Sequence, residues 1–126
     1  MKSLVGYRLE RADKSLKEAE FLLSGNMSLE SVMNRLYYAM FYAALGLLEE
    51  KDMGTSKHSQ VISLFDKDFV KTGIFKKELS EIFHKAFNLR QKGDYEKVSI
   101  ITKENIDEML PMAKHFVDEI KKYIES

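Results

Sequence analysis

Two short polar segments carry the side chains of this sequence that could do chemistry. The first is Asn34-Arg35, which stands at the start of an otherwise apolar stretch and is followed closely by Tyr38. On a helix, Asn34 shares a face with Tyr38, and Arg35 neighbours the same ring. An arginine near a buried face is costly unless it is paired or faces a cleft. Asn34, Arg35 and Tyr38 are therefore candidates for binding a ligand. The structural alternative is that Arg35 reaches solvent or pairs with a carboxylate.

The second segment, Leu89–Tyr95 (LRQKGDY), combines an arginine with a carboxylate and a phenol. Arg90 presents a planar fork of donors that suits a phosphate, and the Tyr95 hydroxyl could donate a hydrogen bond or be modified. The structural alternative is that Arg90 interacts favourably with a helix dipole and that Asp94 caps the next segment of the chain. Spacing alone favours this alternative.

Composition excludes several classes of site. The sequence has no cysteine, which rules out disulfides, thiolate catalysis and Cys-ligated zinc or iron–sulfur sites. The spacing of His58, His84 and His115 matches no metal signature, so neither a metal nor another cofactor is expected. Basic and acidic residues balance at 20 each, unlike the basic total of a dedicated nucleic-acid binder. Residues 71–92 are locally basic, which gives weak support for an anionic ligand; a solvated helix face is the alternative.

Helices must position these residues, because helical periodicity dominates and no alternating strand pattern persists. Val32–Leu48 is hydrophobic or glycine throughout except at Asn34 and Arg35. A helix that is apolar all round is buried on all sides, so this segment is predicted to be the central helix of a small helical domain and a candidate dimer seam. It is too short and too interrupted for a membrane span, which needs about 20 mostly apolar residues.

Capping signals delimit the first two helices. The first spaces its apolar residues by four and three over Val5–Leu23 and is predicted to end at Gly25-Asn26. Ser28 is the predicted N-cap of the second helix, which is expected to run to about Glu50.

Three more helices are expected towards the C-terminus. They cover about residues 59–70, residues 76–91 with a stop at Gly93, and the last part of the chain from a cap at Thr102. Pro111 lies inside the last of them, where a kink or a restart is expected. The predicted architecture is an all-α, up-and-down bundle of four to five helices.

Length and composition also bear on organisation and location. With 126 residues and one proline, the chain is predicted to form a single domain over residues 1–126. Charges occur throughout its first residues, and no apolar h-region of a secretory signal is present. We therefore expect a cytoplasmic protein that does not associate with a membrane.

Taken in order, these segments resemble the HEPN domain (higher eukaryotes and prokaryotes nucleotide-binding), and within it a small prokaryotic branch. The resemblance rests on Asn34–Phe41 (NRLYYAMF), on Lys57-His58-Ser59 before an apolar helix, and on Arg90 followed by Asp94-Tyr95. It covers essentially the whole chain.

The resemblance implies a HEPN-like bundle of four or five helices that dimerises, with polar residues of both subunits gathered in one cleft. Many HEPN proteins are RNases that act without metal, commonly as toxins. They are often encoded beside a minimal nucleotidyltransferase (MNT) that serves as antitoxin. The expected partners are therefore a second copy of this chain, an MNT-type nucleotidyltransferase antitoxin, and RNA or a nucleotide.

The family's catalytic motif is an arginine followed, after four to six residues, by a histidine. Arg90 matches the arginine, but no histidine stands in that window. Metal-free RNA cleavage needs a base for the 2′-hydroxyl and an acid for the leaving oxygen, best supplied by a group with a pKa near 7. An exposed Asp94 is ionised and acts only as a base or acceptor. Arg90 could stabilise the developing charge, and His58 is the candidate replacement acid or base if the fold brings it close. RNase activity is therefore expected to be weak or absent.

Two functions remain open on this basis. The first is the HEPN half of a HEPN/MNT system, a dimer that binds RNA or nucleotide at Arg90, Asp94 and Asn34. In that case Tyr95 is the candidate for nucleotidylation by the partner, since a tyrosine close to the motif plays that part in related toxins. The second is a non-enzymatic helical interaction or dimerisation module, in which the polar cluster only fixes helix register and dimer pairing.

Overall fold

The observed architecture is an all-α bundle, as predicted. The computed structural model describes residues 3–55, 57–95 and 101–126, with the side chains of residues 92–95 excepted. No strand occurs among these residues, which form five α-helices and one π-helical turn. The elements are α1 (Ser3–Ser24), α2 (Leu29–Glu50), α3 (His58–Phe65), the π-helical turn Asp66–Val70 that continues it, α4 (Lys77–Tyr95) and α5 (Lys103–Glu125).

Local capping chemistry sets three of the helix ends, and the predicted caps are confirmed. After α1, Asn26 adopts the left-handed conformation with φ of 56°, which amides and glycines tolerate best at a helix C-terminus. The Ser28 side chain accepts a hydrogen bond from the Ser31 backbone N–H at 3.2 Å. Thr102 and Asn105 satisfy each other's backbone N–H groups in a capping box at the start of α5.

The predicted end of the fourth helix was wrong. α4 does not stop at Gly93 but continues to Tyr95, so that Arg90 lies five residues before the end of the helix. A glycine inside a helix costs only about 1 kcal/mol relative to alanine, and the two residues after Gly93 are Asp94 and Tyr95 rather than a proline. The third helix also differs from expectation, because its α-helical part ends at Phe65 and a π-helical turn covers the remaining residues.

Pro111 does not interrupt α5, which runs unbroken from Lys103 to Glu125, so the expected restart does not occur. A proline inside a helix removes one N–H donor and leaves the carbonyl four residues earlier without its helical partner. Pro111 and Asp107, which carries that carbonyl, are both exposed. The freed carbonyl is therefore on the side of the helix that water reaches.

α2 is the central element and packs against α1, α3, α4 and α5. Within Val32–Leu48 every residue is buried except Asn34, Arg35, Tyr38 and Tyr42, which confirms the prediction of a buried helix. The chain's own helices cover its apolar residues, and the four half-buried ones share a face by their spacing of about four. In the described part of the chain, no helix is long and apolar enough to cross a membrane.

A group of buried phenylalanines fills the core on the other side of α2. The ring centroid of Phe83 lies 5.0 Å from that of Phe116 and 5.7 Å from that of Phe65. The ring of Tyr37 is also near, 6.1 Å from Phe83. We refer to the group as the phenylalanine cluster: Phe65, Phe69, Phe75, Phe83 and Phe116.

Candidate functional site

The guanidinium group of Arg90 connects α4 to the tyrosines of α2. Its Cζ lies 5.4 Å from the ring centroid of Tyr37 and 5.4 Å from that of Tyr38. Its Nη2 also makes a long contact of 3.5 Å with the Tyr38 hydroxyl. A cation within about 6 Å of an aromatic centroid is attracted by the ring. The two tyrosines therefore hold Arg90 in place and bring its planar fork of donors against α2.

His58, the first residue of α3, lies against the same tyrosines. Its Nδ1 is 2.8 Å from the Tyr37 hydroxyl oxygen, and its ring stacks on Phe41 with centroids 4.0 Å apart and planes inclined by 11°. The structure thus brings His58 and Arg90 to one tyrosine, Tyr37, from two different helices.

The hydrogen bond between Tyr37 and His58 assigns the proton positions. Tyr37 is fully buried, and His58 is its one hydrogen-bond partner among the described residues. If His58 Nδ1 were the donor, the buried phenolic proton would have no acceptor, at a cost of about 1–3 kcal/mol. The Tyr37 hydroxyl therefore donates to Nδ1, and the imidazole carries its own proton on Nε2.

Electrostatics support the same assignment. Burial raises the pKa of the Tyr37 phenol, although the Arg90 charge opposes the shift, so the phenol stays protonated. Burial, reinforced by the positive charge of Arg90, lowers the pKa of the His58 imidazole. Neutral His58 with a proton on Nε2 and an engaged Nδ1 presents a hydrogen-bond donor. In this state it is neither an open base nor an imidazolium acid.

Arg35 also lies against the Tyr38 ring. The Asn34 Oδ1 accepts from Arg35 Nε at 3.2 Å and from Nη2 at 2.8 Å, and Nη1 pairs with Glu18 at 3.4 Å. The Arg35 Cζ is 5.1 Å from the Tyr38 ring centroid. Arg35 thus pairs with a carboxylate, which is one of the two structural alternatives for this arginine. It also contacts Asn34 and Tyr38, the other two candidates for binding a ligand.

Sequence reasoning missed a further arginine–tyrosine pair. Arg11 of α1 donates from Nη2 to the Tyr42 hydroxyl at 3.4 Å, and its Cζ lies 5.2 Å from the Tyr42 ring centroid. The spacing of Asn34, Tyr38 and Tyr42 by four was a readable signal for Tyr42. Nothing comparable marked Arg11, because its position depends on how α1 packs on α2.

Asp94 and Tyr95 are the two predicted site residues that the structure leaves undecided. Both belong to the last turn of α4, but their side chains lie outside the described residues. Their predicted roles as catalytic carboxylate and as modification target stay predictions.

The described residues of the site form a continuous cationic and aromatic surface across three helices. We refer to it as the arginine–tyrosine face: Arg11, Arg35, Arg90, Tyr38 and Tyr42. Glu18 is paired within it, which leaves a net positive charge. Within residues 3–55, 57–95 and 101–126, no three His, Asp or Glu side chains gather where they would hold a metal ion.

The HEPN domain family matches this chain over residues 5–123. The chain belongs to the HEPN family. The resemblance inferred from the two polar segments and their order is thereby confirmed, and the five-helix bundle is the fold expected of it.

Individual relatives cover nearly the whole HEPN chain. A "UPF0332 protein" of Thermotoga maritima is 39% identical over 97% of this chain and 92% of its own length. Two proteins of Methanocaldococcus jannaschii bear the name "putative toxin". One is 36% identical over 94% of this chain and 80% of its own, and the other is 34% identical over 93% and 86%.

Proposed function

We propose that this HEPN protein is the toxin-type component of a HEPN/MNT two-component system and that it binds RNA as a homodimer. One observation carries the proposal: Arg35 and Arg90, from different helices, both lie within 5.4 Å of the Tyr38 ring centroid. This arrangement joins phosphate-binding guanidinium groups to an aromatic surface.

Proteins that bind single-stranded nucleic acid combine cationic side chains with aromatic rings. Guanidinium groups take the backbone phosphates, while rings and guanidinium planes stack on bases. From Arg35 to Tyr42 the face extends for roughly 10 Å along α2, at about 1.5 Å per residue. The face carries three guanidinium groups, those of Arg11, Arg35 and Arg90, which suits the successive phosphates of a strand.

The state of His58 favours binding over cleavage. A cleaving site needs a base for the 2′-hydroxyl proton and an acid for the leaving oxygen. Here Nδ1 accepts from Tyr37, and the lowered pKa keeps the ring neutral. The histidine expected after Arg90 is missing as well. We therefore expect the protein to bind RNA and to cleave it weakly or not at all.

The toxin-type role is supported by relatives. Two proteins more than a third identical to this chain over most of its length bear the name "putative toxin". An MNT-type nucleotidyltransferase would then be the antitoxin, with Tyr95 as its target.

The dimer is proposed to form through the exposed stripe of α1. Leu4, Tyr7 and Phe21 are 44%, 52% and 77% exposed. Helical spacing by three and four aligns Leu4 and Tyr7 with Arg11, and Phe21 lies two heptads after Tyr7. A second copy covering this stripe would place the two arginine–tyrosine faces next to each other. The same stripe supports the alternative function, a helical interaction module without enzymatic activity.

RNA binding is tested by fluorescence anisotropy with a labelled single-stranded RNA in EDTA. Arg90→Ala is expected to weaken binding on the order of tenfold and to lower the salt dependence by about one phosphate contact. Lys122→Ala is the charge-matched control, because Lys122 lies on α5 with its side chain 70% exposed. A gel assay of the same samples reports cleavage, and cleavage that survives unchanged in Arg90→Ala would come from another site or a contaminant. Failure of the wild-type protein to bind RNA would overturn the RNA proposal.

The dimer is tested by light scattering, with Phe21→Glu expected to give the 14.7 kDa monomer mass. If RNA does not bind but Arg90→Ala shifts the dimer equilibrium, the interaction module is the better description.

The MNT partnership is tested by co-expression with an adjacent nucleotidyltransferase and intact-mass measurement. A nucleotidyl mass that disappears in Tyr95→Phe is the expected result. Absence of both a complex and a modification would remove the partnership.

A further inference from the structure

A second polar cluster lies outside the arginine–tyrosine face, in a cleft of about 370 Å³ between α3 and α4. Ser59 and Ser63 of α3 and Asp66, the first residue of the π-helical turn, line one side. His84 and Asn88 of α4 line the other, and the side chains of Ile62 and Phe87 form the remaining wall.

Both carboxylate oxygens of Asp66 contact side chains of α4, and these contacts determine which polar groups of the cleft remain for a ligand. Its Oδ1 accepts from Ser80 Oγ at 2.7 Å, and its Oδ2 lies 2.6 Å from His84 Nε2. A carboxylate only accepts, so Nε2 donates to Asp66, and this contact does not use the Nδ1 of His84. The groups that remain for a ligand are this nitrogen, the Asn88 amide and the two serine hydroxyls.

The lining residues define the chemistry of the occupant. None of them is a lysine or an arginine, so the cleft is not built for a phosphate. Its carboxylate is already hydrogen-bonded twice, which does not suit a cation. An aromatic ring next to an amide instead fits a planar, neutral group with adjacent donor and acceptor atoms. The Asn amide matches the N6 and N7 atoms of adenine, which it can bind with two hydrogen bonds.

The cleft adjoins the arginine–tyrosine face. Phe87 and Arg90 are three residues apart on α4, so their Cβ atoms are about 5–6 Å apart. The Phe87 ring centroid is 5.8 Å from that of Tyr37, over which Arg90 lies. Ser59 directly follows His58 in α3. A strand whose phosphate is bound at Arg90 therefore has a base within reach of the cleft.

We propose that the α3–α4 cleft is a base-reading subsite that selects adenine in an RNA strand held at Arg90. This inference rests on the proposed RNA binding and adds to it a sequence preference. It assigns a specificity role to Asn88, with Phe87 as the stacking ring.

Anisotropy with labelled decamers of adenylate, uridylate and cytidylate tests the subsite. We expect wild-type protein to bind the adenylate decamer roughly tenfold more tightly than the other two. Asn88→Ala should remove that preference and leave uridylate binding within about twofold, because Asn88 is exposed and no described structural contact depends on it. Gln60→Ala, an exposed amide of α3 that does not line the cleft, should leave the preference intact.

The outcomes separate this inference from the proposed function. If no decamer binds, RNA binding itself fails. If all three bind equally, or if Asn88→Ala weakens all three equally, RNA binding stands and the base-reading subsite is overturned. Arg90→Ala should weaken all three decamers by a similar factor, as expected of a phosphate contact.

Discussion

Two groups of aromatic rings lie side by side in this bundle, and they differ in what surrounds the ring edges. In the phenylalanine cluster the rings pack against one another, and all five rings are buried. On the arginine–tyrosine face, hydroxyl groups meet guanidinium groups, and the rings are half-buried. The two groups approach each other where the Phe83 ring lies 6.1 Å from the Tyr37 ring. Similar ring packing therefore serves stability in one region and positions cations in the other.

Tyr37 and His58 stand at the boundary between these regions. Tyr37 is as buried as the phenylalanines, yet its hydroxyl is tied to His58 and its face to Arg90. Substitutions on the two sides of this boundary should consequently have effects of different kinds.

The largest effect is expected in the phenylalanine cluster. Phe83→Ala should lower the free energy of unfolding by about 3–5 kcal/mol, because it leaves a cavity among fully buried rings. Urea denaturation followed by circular dichroism measures this change. Met27→Ala is the control, since Met27 is 54% exposed and lies outside the proposed dimer stripe, and it should change the free energy of unfolding by less than about 0.5 kcal/mol. Equal losses in the two variants would contradict the assignment of the core.

A smaller effect is expected at the boundary. Tyr37→Phe keeps the ring and removes the hydroxyl, which should lower the free energy of unfolding by about 1 kcal/mol. It should also release His58 Nδ1, so that the ¹⁵N chemical shifts of the imidazole move from the Nε2–H tautomer towards a mixture. Tyr123→Phe, whose ring packs against Phe75, should leave the His58 signals unchanged. Unaltered His58 shifts in Tyr37→Phe would mean that the hydroxyl does not set the tautomer.

The smallest effect is a dependence of stability on pH. The lowered pKa of His58 means that the unfolded chain binds its proton more readily than the folded one. The contribution of His58 is therefore complete above its ordinary pKa near 6.5 and is lost as pH falls through the lowered value. The free energy of unfolding should fall less steeply with acidification in His58→Gln than in wild type. His115→Gln, an exposed control, should retain the wild-type slope, and a slope shared by all three proteins would exclude His58 as its source.

Much of the fold was predictable because its signals are local. The apolar run of α2, the caps at Ser28 and Thr102, and the break at Asn26 depend on neighbouring residues only, and all are confirmed. The stop at Gly93 failed because a glycine weakens a helix without ending it. The π-helical turn at Asp66 was not readable, since its apolar spacing is compatible with an ordinary helix.

The site was predictable only in part. Arg35 and Tyr38 are neighbours on one helix, so sequence spacing brings them together. Arg11, Tyr37 and His58 depend on how α1 and α3 pack against α2, which spacing within a helix does not determine. In the sequence Tyr37 is one of several neighbouring aromatic residues, and nothing in its spacing shows that its hydroxyl bonds to His58.

Tyr38 is shared by two cations, and this sharing has an energetic consequence. Arg35 and Arg90 lie 5.1 and 5.4 Å from the same ring centroid. Removing one of them therefore changes the electrostatic field at the other guanidinium group and the conformational freedom of that side chain. Residues that share a partner do not contribute independent free energies. A double-mutant cycle should therefore give a coupling energy between these arginines, although they belong to different helices. The two guanidinium groups would then respond to an anion as a single thermodynamic unit.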